Sequence, residues 1–162
     1  MVGVILFFSS CSQNKTINQE QTAETLIYNL FTVPNEDVAE VFINFSDDFL
    51  ADPDWYSNRM VPVVRILCDN LATEEFMNGS GYNSTFFFDV FRLHGYAVIY
   101  GYSYTVDSVQ LTETGEGQYS YVATIVASYS ETTITLSGSI RINQDGLVEY
   151  MSLRQAPYEP NL

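Results

Sequence analysis

His94 is the only histidine in the chain, so acid–base chemistry near neutral pH would have to pair it with a carboxylate. Asp89 stands off the same helical face, which leaves Asp107 or Glu149 to be brought near by the fold. A lone histidine in an aromatic stretch is more often a hydrogen-bonded structural residue. No catalytic set is assigned on this basis, and His94 is the single candidate. Cys68 ends an apolar helical stretch over residues 63–68, where a free thiol acts as a small buried hydrophobe. Asp47, Asp48, Asp52 and Asp54 offer oxygens of the kind a hard cation wants. They lack the regular acidic-loop spacing and its distant Glu, so they read as a solvated loop, and no metal or other cofactor is expected.

Recognition is the second chemistry on offer. Residues 54–59 set the only tryptophan, Trp55, beside Tyr56 and Arg59, residue types that concentrate at binding surfaces. Trp55 serves equally well as a core plug. Tyr96, Tyr100, Tyr102 and Tyr104 share one parity and would line one face of a straight strand. On a concave face they make an aromatic pocket wall with hydroxyls to orient a ligand. Packing against helices is the plainer use of such a face. Trp55, Tyr56, Arg59, Tyr100, Tyr102 and Tyr104 are therefore the candidate ligand-binding residues. The chain carries no glycine-rich phosphate loop, dinucleotide fingerprint, zinc-protease pair or nucleophile elbow.

The elements that must position these residues follow from periodicity. Ala23, Leu26, Ile27, Leu30 and Phe31 fall on one helical face, ended by Pro34. Asn35 suits an N-cap for a second helix carrying Val38, Val41, Phe42 and Phe45. Pro62 opens a third, with Val63, Ile66, Leu67 and Leu71, before a breaker at residues 78–81. Residues 85–93 favour a short helix stopped by Gly95. From Tyr96 the period becomes two, giving a long or bent strand through Leu111, then strands over 118–129, 132–143 and 147–153. Gly101 and Gly138 fall inside these strands and read as bends, and Asp145-Gly146 marks a hairpin. Short connections imply an antiparallel meander whose apolar face needs helices as cover. The expected fold is α+β, with three or four N-terminal helices packed on a curved antiparallel four-stranded meander. It forms a single domain over residues 20–156 with a tail at 157–162.

Charge narrows the functional classes. Six Lys and Arg stand against 20 Asp and Glu in 162 residues, a formal net charge of −14. Such an excess repels phosphate backbones and anionic headgroups, excluding nucleic-acid binding and polybasic membrane docking. With 12 Tyr and 11 Phe, the chain has ample material for a core, which excludes wholesale disorder.

Two resemblances extend this reading. Residues 2–8 form an uninterrupted apolar run, and Phe8-Ser9-Ser10-Cys11 resembles the lipobox of bacterial lipoproteins. That resemblance implies a signal-peptide remnant at 1–10, a lipid on Cys11, a polar tether at 11–19 and a place on the outer face of a cell-envelope membrane. The other reading is a short apolar N-terminal element packed into the core. Helices followed by a bent meander over residues 20–153 resemble the nuclear transport factor 2-like cone, with a cystatin-like arrangement as the alternative. The cone family implies an interior that can serve as a ligand pocket, frequent homodimers, and members that are isomerases, hydrolases or dehydratases alongside many binding modules. Three functions are expected in order: a non-catalytic envelope module binding a small ligand or another envelope protein; a cone-family isomerase or hydrolase using His94 with a carboxylate; an accessory subunit of an envelope complex.

Overall fold

The computed structural model describes residues 10–35, 38, 41, 56–79, 83–128 and 133–154. Helix α1 spans Ser10–Phe31, and a π-helical turn Tyr56–Met60 runs into α2 at Val61–Cys68. Then come α3 at Glu74–Met77 and α4 at Asn83–Tyr100. Strands β1 Tyr104–Gly115, β2 Gln118–Ala127, β3 Thr133–Ile142 and β4 Val148–Leu153 follow, paired antiparallel in the order β1-β2-β3-β4. The α+β class and the four-stranded antiparallel meander are as the sequence predicts. The second expected helix, with Phe42 and Phe45, lies largely outside the described residues, although Val38 is buried.

Local chemistry explains most boundaries. Pro62 occupies the first turn of α2, where its missing N–H costs nothing. The helix ends early, at Cys68, because Asp69 and Asn70 adopt left-handed backbone with φ of 42° and 62°. Thr73 caps α3, its Oγ1 accepting from the Phe76 N–H at 3.2 Å. In the β3–β4 hairpin the Asn143 Oδ1 accepts from both Asp145 and Leu147 N–H at 3.0 Å, and Gly146 takes φ 81°.

The largest departure from expectation is α4. Gly95 does not stop it, and the helix continues to Tyr100, so Tyr96 and Tyr100 are helical and β1 starts only at Tyr104. An interior glycine costs about 1 kcal/mol, but the inward stripe Phe87, Val90, Phe91, His94 and Ala97 continues past it and is buried throughout. The real stop is Gly101, expected as a strand bend. Its φ of 67° lets the Tyr102 N–H reach back to the Ala97 carbonyl at 3.0 Å, a Schellman closure.

One face of the sheet is core. Tyr104, Tyr119, Tyr121, Ala123, Ile125, Leu136, Ile140 and Met151 are buried against Leu26, Leu30, Phe31, Val64, Leu67, Phe87 and Phe91 from the helices. Phe76 on α3 packs edge-to-face on Phe87 at 4.9 Å and tilted on Phe86 at 6.1 Å, which locks α3 to α4. The other face carries Ser120, Val122, Thr124, Val126, Thr135 and Ser139, all exposed or half-buried. Both sheet edges are partly closed. Val33 bridges Tyr104 through hydrogen bonds of 2.9 and 2.8 Å, and Ala72 bridges Val148 in parallel.

Gly138 faces inward at the tightest point of the sheet. The Tyr121 hydroxyl crosses over it to donate to the Ser152 carbonyl at 2.9 Å, and any Cβ there would collide with that carbonyl and the Tyr121 ring. Relief would require moving backbone rather than a flexible side chain. Gly138→Ala is therefore expected to destabilise the fold by at least about 2–3 kcal/mol, read as a lowered urea midpoint. An unchanged midpoint would show that β4 shifts freely.

Candidate functional site

His94 lies on the inward side of α4 with 1% of its surface exposed. Its Nε2–H donates to the Leu30 carbonyl at 3.1 Å, tying α4 to α1. Burial depresses its pKa to about 4, opposed by the Leu30 bond, so the ring is neutral at physiological pH. Glu149 is engaged with Arg141, and Asp107 is exposed on β1. A side chain so enclosed offers no face to a substrate. Cys68 is likewise buried, and desolvation pushes its thiol up to about 12, which keeps it protonated and unreactive.

The tyrosine series is split by the unexpected length of α4. Tyr104 is a fully buried core residue of β1. Tyr96 and Tyr100 stand one turn apart on the outward side of α4, and the Schellman turn folds Tyr102 back onto Tyr100. Ring centroids lie 6.1 Å apart for Tyr96–Tyr100 and 5.6 Å for Tyr100–Tyr102, the second pair stacked. Arg92, one turn earlier, places its guanidinium 6.0 Å from the Tyr96 centroid and donates to the Tyr96 hydroxyl at 3.3 Å.

Two neighbours complete this face, and neither was singled out from the sequence. Phe88 is 46% exposed and Ile99 62%, with Tyr100 at 40%. Positions 88, 92, 96, 99 and 100 follow helical spacing opposite the buried stripe. A signal was present, because Phe88 and Ile99 fall off the stripe of Phe87, Val90, Phe91 and His94. Only continuation of the helix through Gly95 makes it readable. Of the other candidates, Arg59 is exposed at the π-helical turn that begins with Tyr56, and Trp55 lies outside the described residues.

Two depressions flank the sheet. A groove of about 180 Å³ between α4 and β4 is lined by Thr85, Phe86, Asp89, Tyr150, Met151 and Ser152. Burial pushes the Asp89 carboxyl up, opposed by Arg92. A polar cleft of about 320 Å³ lies at the hairpin end, between Gln19, Glu116, Arg141, Asn143, Gln144 and Glu149. Gln19 is 6% exposed and its amide donates to the Asn143 carbonyl at 3.3 Å, so packing already begins within the polar stretch expected as a tether. No group of three or more His, Cys, Asp or Glu able to hold a metal ion occurs among the described residues. Asp47, Asp48, Asp52 and Asp54 lie outside them. No helix among the described residues is long and apolar enough to cross a membrane, and Cys11 falls in the first turn of α1.

The His94 environment makes stability depend on pH. The unfolded chain binds a proton at the ordinary value of 6.5 and the folded chain only near 4. This contribution is therefore intact above pH 6.5 and is lost as pH falls toward 4, by about 3 kcal/mol. Urea unfolding of wild type and His94→Gln at neutral pH and near pH 4 should show a stability gap that narrows on acidification, since carboxylate titration is common to both. A gap independent of pH would mean that His94 takes up a proton as readily in the fold as in the unfolded chain. Comparison with protein-family models, curated proteins and solved structures finds no match for this chain.

Proposed function

We propose that this protein is a lipid-anchored cell-envelope module that binds another envelope protein through the outward face of α4, with no chemistry of its own. The observation that carries the reading is the outward row of exposed Phe88, Ile99 and Tyr100 with half-buried Arg92 and Tyr96 between them, extended by Tyr102. A helix with one side toward solvent normally turns charge outward. Helix α4 has one Asp and one Arg in 18 residues, in a chain that is 16% charged. Tyr, Phe, Ile and Arg in a continuous row supply large contact area at low entropic cost, as hot-spot clusters do.

Charge selects the kind of partner. At −14, two copies of this chain repel each other, whereas a partner with a basic rim around an apolar patch is steered toward the face. The cone-family isomerase or hydrolase reading loses its support, because its one histidine is enclosed. The order of helices and meander supports reading the fold as a nuclear transport factor 2-like cone. In that reading Tyr104, Tyr119, Tyr121 and Phe31 occupy the interior, so recognition falls to the outside.

Two experiments test the proposal. A photo-crosslinking residue at Ile99, against one at Thr135 on the open sheet face, should give a discrete adduct in envelope preparations from position 99 only. Phe88→Ser and Tyr100→Ser should each reduce that adduct by about tenfold, the loss of one hot-spot side chain. Equal labelling at both positions, or none at 99, would remove the α4 face from the proposal. The anchor is checked separately by palmitate labelling of the full chain expressed with a secretion signal. Label should depend on Cys11 and vanish in Cys11→Ser, and an unmodified Cys11 thiol would overturn the envelope assignment.

A further inference from the structure

The polar cleft at the hairpin end is built from three parts of the chain distant in sequence: Gln19 on α1, Glu116 in the β1–β2 turn, and Arg141 to Gln144 with Glu149 around the β3–β4 hairpin. Their convergence is enforced by Gly117. This residue takes φ 67°, and a Cβ on it would collide with the Ile142 carbonyl. The turn can therefore sit directly on the end of β3, where the Ile142 N–H donates to the Gly117 carbonyl at 2.8 Å. The cleft lies at the opposite end of β1 from the Tyr102 and Tyr104 region, so it is separate from the α4 face.

We propose that this cleft binds a neutral polyhydroxylated ligand, a mono- or disaccharide in size. Its polar groups are already held in place. The Arg141 Nε pairs with the Glu149 carboxylate at 2.5 Å, and its guanidinium lies 5.6 Å over the Tyr150 ring. Gln19 is nearly enclosed and tethered to the Asn143 carbonyl, with further donor and acceptor capacity on its amide. Two carboxylates accept hydroxyl hydrogens, while the guanidinium and the amides of Gln19 and Gln144 donate, which is the mixed pattern that adjacent hydroxyls on one ring require.

Other ligand classes fit poorly. Glu116 and Glu149 outnumber Arg141, and the whole chain stands at −14, so phosphate and carboxylate ligands are repelled. Metal ions lack a third ligating carboxylate, histidine or thiolate among the described residues. Organic cations meet the Arg141 guanidinium, which lines the cleft and is paired with Glu149. Apolar ligands find polar walls. The volume of about 320 Å³ is at the lower end of the range usual for small-molecule sites and suits one or two sugar rings.

The test is a two-dimensional NMR titration of the full chain with maltose, cellobiose and diacetylchitobiose, with sodium phosphate and free lysine as charge controls. At least one disaccharide should give saturable shifts at the Gly117, Asn143 and Gln144 amides, with a dissociation constant in the millimolar range. Glu116→Gln alters an exposed carboxylate and Glu149→Gln a half-buried one at the surface pair with Arg141; each should weaken binding at least about fivefold, the loss of one charge-assisted hydrogen bond, with little change in unfolding temperature. The proposal is overturned if no saccharide shifts these amides, if phosphate or lysine does so instead, or if neither substitution changes the affinity.

Discussion

A four-stranded open sheet that buries one face only must import the other half of its core from helices. Here that requirement is severe, because the inward face carries three tyrosines, Tyr104, Tyr119 and Tyr121, with almost no exposed surface. Rings of that size demand cover along the whole sheet. Helix α1 supplies it along one line, with Gln19 meeting the β3–β4 hairpin and Phe31 leading into the Val33 bridge at the start of β1. Helix α4 supplies a second line, joined to the first by the bond from His94 to the Leu30 carbonyl. The single histidine is thereby spent on architecture, in a site whose low dielectric keeps it neutral.

The same requirement explains why α4 runs through a glycine. Stopping at Gly95 would leave Ala97 and the neighbouring Val98 off the core, and the local cost of the glycine is small beside the burial. Carrying the helix one turn further has a second effect. It turns Tyr96, Ile99 and Tyr100 outward on a side with almost no charge, and the Gly101 turn stacks Tyr102 on Tyr100. The exposed aromatic row is a geometric consequence of how far the core must be covered.

Electrostatics organises the surface by scarcity. With six basic residues in the chain, three of the described arginines have a defined role in placement. Arg65 forks onto Glu74 and ties α2 to α3. Arg92 braces Tyr96 on α4, and Arg141 pairs with Glu149 across the last hairpin. Exposed pairs of this kind add little to stability, so their effect is on placement. Each lies beside a feature that other molecules can reach, and two of the three border the candidate sites.

Residue order by itself determined the class of the fold, the number and order of the strands, the Asp145-Gly146 hairpin and the burial of Cys68, because each rests on period, turn chemistry or composition within a short window. The acid excess, a formal net charge of −14, was equally local to composition. Tertiary structure decided the rest. Gly95 and Gly101 carry the same helix-stop signal, and only the depth of the core selects the second. Tyr100, Tyr102 and Tyr104 look alike at spacings of two, yet the turn between them sends Tyr104 into the core and stacks the other pair outside. Gln19, Glu116 and Arg141 meet because strands return the chain to one place, a contact between positions more than a hundred residues apart that no local pattern encodes.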